Sequence, residues 1–368
     1  MEKVKQYAVI AVFAMFIFGL AIAQWLLPDQ EFSDTERRAL EKKPEFSTDR
    51  LLDGSYQADL ETYMLDQFPL RDMFRGAKTL ANVHLWQMRD TNGYYFADGH
   101  WMELDKTLNE DQVNFAIKKF NGILDKHPEI AKAFYAIVPD KNYFLAEENG
   151  YTALDYEALF AMMQNVRAEE ISIISLLNID DYYRSDSHWR QERLQRIAET
   201  ICNALGVTAA PFDSYTQTTL DGFAGVYADH TAYPMREDLI FLQNDAIANA
   251  TVTHLNDKTG QWEQMSVYDV AEFENADPYD VFLSGAETLI TIENPNATSE
   301  KHLILFRDSF SSSFAPLLID SYAKITMVDL RYVAAAYLGN FVDFENADVL
   351  FLFSTTLLNS AGEAMHKG

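Results

Sequence analysis

From residue 109 onward, the apolar positions of the chain follow two alternating patterns. Runs with the 3.6-residue period of an amphipathic helix predict helices at 109–124, 155–168, 190–205 and 312–320, with a shorter one at 332–338. Short unbroken apolar runs between them predict strands at 131–138, 171–177, 288–292, 303–306, 325–328 and 349–353. Strands that alternate with helices in this way are typical of an α/β domain.

The residues before position 109 predict a different organisation. Residues 29–53 are charged and polar with few spaced apolar positions, which indicates an extended stalk. Two helical runs follow at 56–67 and 71–88, and Pro69 between them ends the first one. Aromatic residues on both sides of an Asp-Gly turn predict a short hairpin at 93–102.

A second irregular stretch interrupts the α/β pattern at residues 213–280. Within it, the runs at 251–255 and 261–267 flank a polar segment and predict an antiparallel hairpin. We therefore expect one large domain from residue 54 to residue 368, with a β-rich insertion at 213–280.

Residues 1–28 predict a membrane anchor. Lys3 and Lys5 precede a mostly apolar run at 8–27, and about 20 apolar residues suffice to cross a bilayer. Basic residues before the run and acidic residues after it predict an N-terminus inside and the remaining chain outside. The small-x-small site at 21–23 allows a cleaved signal peptide instead, but the apolar run continues past it and favours an uncleaved anchor.

The composition argues against several classes of function. The chain of 368 residues carries 56 acidic and 29 basic side chains, and its formal charge of −27 repels nucleic acid. Its only cysteine, Cys202, has the spacing of a core residue in the predicted helix at 190–205. No histidine pair has a metal-binding spacing and no phosphate-binding glycine loop occurs, so we expect no metal and no other cofactor.

The first candidate chemical group lies in the loop at 182–189, between a predicted strand and a predicted helix. Asp186 and His188 are two residues apart, so in an extended loop they point to the same side. The carboxylate can then orient the imidazole and leave its other nitrogen as a general base. Alternatively, Asp186 or Ser187 caps the following helix and His188 only contacts the carboxylate.

The second candidate is Ser309, in a polar turn that joins a buried-type strand to a helix. A serine at this position has an exposed hydroxyl, and backbone N–H groups at the helix start can stabilise an oxyanion. The alternative is that Ser309 or one of its neighbouring serines is an ordinary N-cap. Because functional loops follow the carboxyl ends of parallel strands, we expect Ser309, His188 and Asp186 to converge there.

Arg331 and Tyr332 follow another predicted strand and are candidates for binding a carboxylate or an acyl oxygen. Arg331 could equally form a structural ion pair with Asp329 or Asp308, and Asp308 itself adjoins the candidate serine. Both interpretations stay open for Arg331, with a slight preference for the ion pair.

Two further features have a functional and a structural interpretation. Gly225 could bring backbone close to the site, although a strand bulge is the commoner explanation for such a glycine. Tyr182, Tyr183 and Trp189 could form a wall on which a sugar stacks, although ordinary packing is the commoner role.

At these residues the chain resembles the DHHW proteins and the AlgJ and AlgX proteins of alginate O-acetylation. The segment Ser185-Asp186-Ser187-His188-Trp189 is similar to their D-H-H-W or D-T-H-W signature, and Arg307-Asp308-Ser309-Phe310 is similar to their serine block. The other similar segments are 32–40, 68–72, 138–141 and 328–332.

The resemblance implies an SGNH-hydrolase-like, flavodoxin-like three-layer domain in which the Asp-x-His element precedes the serine. It implies Ser309 as the nucleophile, His188 as the general base and Asp186 as the orienting carboxylate. It also implies transfer of an acyl group, usually acetyl, to hydroxyls of an exported polysaccharide. The implied partner is a multi-pass membrane O-acyltransferase that supplies the acyl group.

Three hypotheses follow for a bacterial protein held at the cell membrane with its large domain outside. The first is an O-acyltransferase acting on a surface polysaccharide. The second is a carbohydrate esterase that uses the same three residues with water as the acceptor, which the sequence does not distinguish from the first. The third is a non-catalytic anchored scaffold of an export complex.

Overall fold

The computed structural model describes residues 2–104 and 107–366, which form two compact units. Unit 1 contains the chain up to Thr91 together with Ala228–Pro234. Unit 2 contains Asn92–Tyr227 and the chain from Met235 onward.

The described residues form helices and strands with the following bounds. The helices are α1 (Glu2–Leu26), α2 (Thr48–Asp53), α3 (Ser55–Asp66), α4 (Arg71–Leu80), α5 (Glu110–Lys126), α6 (Asn142–Leu145), α7 (Tyr156–Met163), α8 (Gln195–Leu205), α9 (Val226–Thr231), α10 (Asp245–Asn249), α11 (Phe310–Phe314), α12 (Thr355–Leu358) and α13 (Ala361–Ala364). The strands are β1 (Phe32–Ser33), β2 (Arg38–Ala39), β3 (Tyr94–Ala97), β4 (His100–Glu103), β5 (Lys132–Val138), β6 (Glu169–Glu170), β7 (Thr216–Phe223), β8 (Glu237–Gln243), β9 (Thr251–Asn256), β10 (Gln261–Met265), β11 (Leu289–Glu293), β12 (His302–Arg307), β13 (Lys324–Val328) and β14 (Asp348–Ser354).

Helix α1 is long and apolar enough to cross a membrane. Its segment Lys3–Leu26 has 24 residues, and the mean hydropathy of its most apolar window is 2.3. Only 6% of the residues in that window are buried. Length and composition suit either an anchor or a signal sequence.

Residues 29–53 differ from the extended stalk predicted for them, because they fold within unit 1. Strands β1 and β2 pair antiparallel, and Leu40 after them is buried. Arg38 donates two hydrogen bonds of 2.8 and 2.6 Å to the Asp66 carboxylate, and these bonds lower the pKa of Asp66 to about 2. Ion pairs leave no apolar period in a sequence, so the pattern alone could not reveal this packing.

Unit 2 is built around an eight-stranded sheet in the order β10-β9-β11-β13-β12-β14-β5-β6. Strands β13, β12, β14, β5 and β6 are parallel, whereas β11, β9 and β10 continue the sheet antiparallel. Along β12, Leu303 and Leu305 pack on the face covered by α8 and α11, while Ile304 and Phe306 pack on the face covered by α5 and α7. The predicted three-layer α/β fold is therefore confirmed.

The β-rich stretch at 213–280 contains two hairpins. The antiparallel pair β9–β10 is confirmed, but it extends the main sheet through β11 instead of standing apart from it. The second hairpin, β7–β8, forms a sheet of its own and contains a register shift between Asp221 and Phe223. Its strand β7 is mostly exposed, so it lacked the apolar alternation that would have predicted it.

The strand predicted at 171–177 is wrong. Ladder pairing with β5 stops at Glu170, and Ile174–Leu176 is a 3₁₀ helix. Ile171 and Ile173 are nevertheless buried in the core, and the Ile171 amide still donates to the Tyr135 carbonyl. An apolar run at the edge of a sheet can thus fill the core without forming a strand, which periodicity cannot distinguish.

Several predicted helices are shorter than their apolar patterns. The run at 155–168 ends at Met163, and the run at 190–205 becomes α8 only from Gln195. The run at 71–88 changes at Ala81–Leu85 into a π-helical turn.

The last two predicted helices also differ from the structure. At 312–320, α11 begins earlier, at Phe310, and gives way to a 3₁₀ turn at Ala315–Leu318 that contains Pro316. At 332–338, the structure has a 3₁₀ helix over Ala335–Asn340.

Phe120 on α5 provides a test of how the helical layer holds the sheet. Its fully buried ring stacks on Phe351 and Phe353 of β14, with centroid distances of 4.5 and 5.1 Å. Phe120→Ala should lower the free energy of unfolding by about 3–5 kcal/mol because it leaves a cavity between helix and sheet. Urea unfolding followed by tryptophan fluorescence measures this change.

Phe341→Ala is the matched control, because that ring is 45% exposed. It should change stability by no more than about 0.5 kcal/mol. Equal losses in the two variants would contradict the inferred role of Phe120.

Candidate active site

The structure brings Asp186, His188 and Ser309 together at the carboxyl end of β12. The His188 Nδ1 lies 2.6 Å from Asp186 Oδ1, and the His188 Nε2 lies 2.7 Å from Ser309 Oγ. Ser309 and His188 are 121 residues apart in the chain, so only the fold joins them. This is the geometry in which a carboxylate orients an imidazole that can accept a proton from the hydroxyl.

Asp186 keeps its negative charge although it is buried. Burial by itself would raise its carboxyl pKa, but nearby His188 and backbone donors outweigh that effect and hold the pKa well below its usual range. The donors are the amide of His188, at 2.9 Å from Oδ1, and the amide of Val226, at 2.7 Å from Oδ2. The carboxylate is therefore fixed in both charge and orientation.

The capping alternatives do not describe these residues. Ser309 precedes α11, yet its side chain makes no capping hydrogen bond and contacts His188 instead. The N-cap residues of the 3₁₀ helix Gln191–Arg193 and of α8 are Arg190 and Leu194, and neither makes a side-chain capping hydrogen bond. Neither Asp186 nor Ser187 thus caps the helix that follows the loop.

Asp308 holds the turn that carries Ser309. Its Oδ1 accepts a hydrogen bond from the Phe310 amide at 3.0 Å, and its Oδ2 accepts one from the Ser354 amide at 2.7 Å. The turn is thereby tied to the end of β14. The amide of Phe310 is consequently occupied, and α11 has only five residues, so its start is a weaker oxyanion site than the start of the longer helix predicted at 312–320.

The aromatic residues of the loop pack inside the protein instead of forming a wall for a sugar. Trp189 is fully buried, and its Nε1 donates to the Phe310 carbonyl at 2.9 Å and to Ser313 Oγ at 3.1 Å. Tyr182 and Tyr183 are buried as well. Trp189 therefore supports the helix behind Ser309, and the packing interpretation is the one that the structure shows.

Arg331 forms the structural ion pair that the sequence left open. Its Nε and Nη2 bind the two oxygens of Asp329 at 2.9 and 2.6 Å, and its guanidinium lies 5.3 Å from the ring centroid of Tyr332. Tyr332 is 47% exposed and remains open to a ligand. Within residues 2–104 and 107–366, no cluster of acidic, histidine or cysteine side chains is arranged to hold a metal ion.

Gly225 does bring backbone against the site. Its amide donates to Ser185 Oγ at 3.1 Å, and a Cβ at this position would lie 2.3 Å from the Asp186 Cβ. The commoner explanation, a strand bulge, also occurs nearby at Asp221 and Phe223, but it does not include Gly225.

Sequence reasoning missed two charged residues that hold the loop before Asp186. The Glu237 carboxylate accepts hydrogen bonds from the Arg184 amide at 3.1 Å and from the Ser185 amide at 2.7 Å. The buried Lys141 Nζ donates to the carbonyls of Tyr183 and Arg184 at 3.0 and 3.4 Å, and burial lowers its pKa to about 7. Only the segment containing Lys141 gave any signal, through its family resemblance.

Tyr279 was also missed, and it covers one face of the catalytic candidate His188. The two rings stack with centroids 3.9 Å apart and an interplanar angle of 7°. The Tyr279 hydroxyl donates to Ser313 Oγ at 2.8 Å, and Phe310 lies at 4.9 Å from the imidazole. The imidazole is thus restricted to the orientation that points Nε2 at Ser309.

Comparisons with known proteins concern the family and the fold of this chain. A family model described as DHHW protein matches residues 156–328, a stretch that contains all three members of the candidate triad. The resemblance to DHHW proteins is confirmed. No curated protein matches the chain.

Solved structures with the same fold include two proteins with TM-scores above 0.5. A DHHW family protein from Eubacterium siraeum has 21% identity, covers 73% of this chain and 93% of its own, and gives a TM-score of 0.57. PatB1 from Bacillus cereus, solved with a sulfonyl adduct, has 18% identity, covers 72% and 97%, and gives 0.59. The O-acetyltransferase domain of Pseudomonas putida AlgJ is a weaker likeness, with 10% identity, coverage of 73% and 92%, and a TM-score of 0.43. At these identities the first two establish the fold and no more.

Gly225→Ala tests the close approach of backbone to Asp186. The new Cβ would overlap the Asp186 Cβ, so the carboxylate should move away from His188. We expect the reaction of Ser309 with phenylmethylsulfonyl fluoride to slow by about 10²-fold, as small misplacements of catalytic groups do. Intact mass spectrometry over time gives this rate.

The control for this variant is Gly122→Ala, because a Cβ on Gly122 of α5 meets no atom within 4 Å. Its rate should equal that of the wild type. A normal rate in Gly225→Ala as well would show that the loop can shift without moving the carboxylate.

Glu237→Gln tests the anchoring of the loop by charge. The amide keeps the shape of the side chain but replaces one acceptor oxygen with a donor that faces backbone N–H groups. We expect Ser309 modification to slow by about tenfold, which corresponds to about 1.4 kcal/mol and lies within the range for charged hydrogen bonds. Asp238→Asn, at the exposed neighbouring position, should leave the rate unchanged.

Proposed function

We propose that this chain is an O-acyltransferase that acts outside the cytoplasm on hydroxyls of a cell-surface polysaccharide, with acetyl as the acyl group. The observation that carries the proposal is the continuous contact from Asp186 through His188 to the Ser309 hydroxyl. The DHHW family match over the same residues and the DHHW-like fold support it.

In the first half of the reaction, Ser309 Oγ attacks the carbonyl carbon of an acyl donor. His188 Nε2 takes the hydroxyl proton, and the buried carboxylate of Asp186 stabilises the imidazolium that forms. When the tetrahedral intermediate collapses, the bond to the leaving group breaks and His188 returns the proton to that group. The acyl group is then esterified to Ser309.

In the second half, a sugar hydroxyl replaces the leaving group. His188 removes the proton of that hydroxyl, the sugar oxygen attacks the acyl carbon, and the ester bond to Ser309 breaks with return of the proton to Oγ. The products are the acylated sugar and free enzyme. Hydrolysis differs only in the use of water, so a carbohydrate esterase remains the alternative reaction of the same three residues.

The location and the acyl source are also part of this proposal. Lys3 and Lys5 before the apolar helix favour an N-terminus inside and the chain after α1 outside. A multi-pass membrane O-acyltransferase would deliver the acyl group to Ser309, as the family resemblance implies. The polysaccharide would be the final acceptor.

Ser309→Ala in the detergent-solubilised full chain tests the nucleophile. Wild type should release p-nitrophenol from p-nitrophenyl acetate and show one added acetyl group by intact mass spectrometry. The variant should lose both signals, with a fall in rate of about 10³-fold or more. Ser312→Ala is the matched control, because this buried serine in the same helix has an Oγ without a partner in the described structure.

The outcomes separate the three hypotheses. Faster loss of the acetyl adduct with appearance of an acetylated oligosaccharide, when sugars are added, supports transfer. Turnover with water alone and no acetylated sugar supports the esterase. Identical behaviour of wild type and Ser309→Ala would overturn the enzymatic proposal and leave the scaffold.

A further inference from the structure

Exposed large apolar side chains are concentrated in the part of unit 1 that follows α1. Thirteen of them lie between Leu27 and Met88, whereas seven lie in the remainder of the described chain beyond Met88. Soluble surfaces rarely expose apolar side chains so densely, and such patches mark contacts with another protein or a membrane.

Three of these side chains lie at the junction of α3 and α4, and we call them the apolar turn: Leu65 at the end of α3, Leu70 in the turn and Met73 in the first turn of α4. Their exposed fractions are 63%, 60% and 57%. Leu70 has a φ of 59°, a left-handed conformation that is uncommon for a bulky residue. The chain thus keeps a strained backbone at a point where a large apolar side chain faces outward.

The apolar turn lies beside the C-terminal half of the candidate membrane helix. Gln24, the polar residue that interrupts the apolar run of α1, donates from Nε2 to the Met64 carbonyl of α3 at 2.7 Å. Phe16 of α1 meets Phe74 of α4 edge to face, with centroids 6.2 Å apart. Phe16 precedes the end of α1 by ten residues, which is about 15 Å along a helix axis.

These contacts fix the depth of the apolar turn relative to α1. A bilayer that surrounds α1 also reaches the structure packed against its last 15 Å or so. Since the hydrocarbon core is about 30 Å thick, the apolar turn lies within the leaflet at the C-terminal end of α1.

The charges next to the apolar turn are paired, which makes this position tolerable for a bilayer. Arg71 and Arg75 both contact Glu36, at 2.5 and 3.5 Å, and Arg38 binds Asp66. Burial would raise the pKa of Glu36, but the arginines outweigh it and keep the pKa below its usual value. Paired arginines with long side chains can remain near headgroups while apolar neighbours lie deeper.

We propose that the apolar turn is a second membrane contact, in which Leu65, Leu70 and Met73 lie in the acyl chain and headgroup boundary beside α1. The occupant of this surface is the lipid bilayer. The chain is then held at two points, so unit 1 has a fixed orientation on the membrane and does not swing on a single helix. This inference holds whether or not Ser309 is a nucleophile.

Single-cysteine labelling of the full chain in phosphatidylcholine nanodiscs tests the contact. Leu70→Cys and Met73→Cys are each labelled with an environment-sensitive fluorophore, and Tyr337→Cys, 62% exposed in unit 2, is the matched control. The native Cys202 is buried and its pKa is raised to about 11 by burial, so it reacts slowly. Quenching is compared between acrylamide in water and doxyl-labelled lipid in the bilayer.

At Leu70 and Met73 we expect a blue shift of emission, loss of most acrylamide quenching and strong quenching by the doxyl lipid, with the opposite at Tyr337. Acrylamide quenching equal to that of the Tyr337 probe would overturn the proposal. Protection from both quenchers would also overturn it, because a protein surface and not lipid would then cover the turn. Two labelled positions guard against a local effect of replacing the left-handed Leu70.

Discussion

The candidate site depends on keeping the buried carboxylate of Asp186 charged and pointed at His188. A carboxylate removed from water tends to protonate, and a protonated Asp186 could not stabilise an imidazolium. Two backbone amides and the His188 ring compensate for the lost water. The strand ends and turns around the carboxylate can then be understood as the structure that supplies those donors.

The supply of donors explains why distant segments meet here. The Val226 amide lies 2.7 Å from the Asp186 carboxylate. The residue before it must be a glycine, Gly225, because a Cβ there would overlap Asp186. Glu237 and Lys141 fix the backbone before Asp186 in complementary ways. The Glu237 carboxylate accepts from backbone N–H groups, and the Lys141 ammonium donates to backbone carbonyls. The loop before Asp186 is thus restrained through both its amides and its carbonyls.

The sequence predicted the parts of this arrangement that are local. Asp186 and His188 are two residues apart, and Ser309 follows a buried strand, so spacing and strand ends were enough to nominate them. The alternating runs likewise predicted the parallel strands and the layers on both faces. Glu237 and Tyr279 had no such signal, because they act through contacts with residues far away in the chain. The strand predicted at 171–177 is wrong for a different reason. A buried apolar run can fill the core whether or not its backbone pairs with a neighbouring strand.

The surroundings of His188 bear on the choice between transfer and hydrolysis. Its ring is covered by Tyr279 on one face and approached by Phe310, while Ser309 is half-buried. With its ring covered in this way, His188 points Nε2 at Ser309 Oγ, next to which an incoming acceptor must also arrive. An acceptor that binds by contacts of its own gains time at that position, whereas water gains none. The covered imidazole serves either acceptor equally, so the choice between a sugar hydroxyl and water depends on which groups beside Ser309 bind and hold the acceptor.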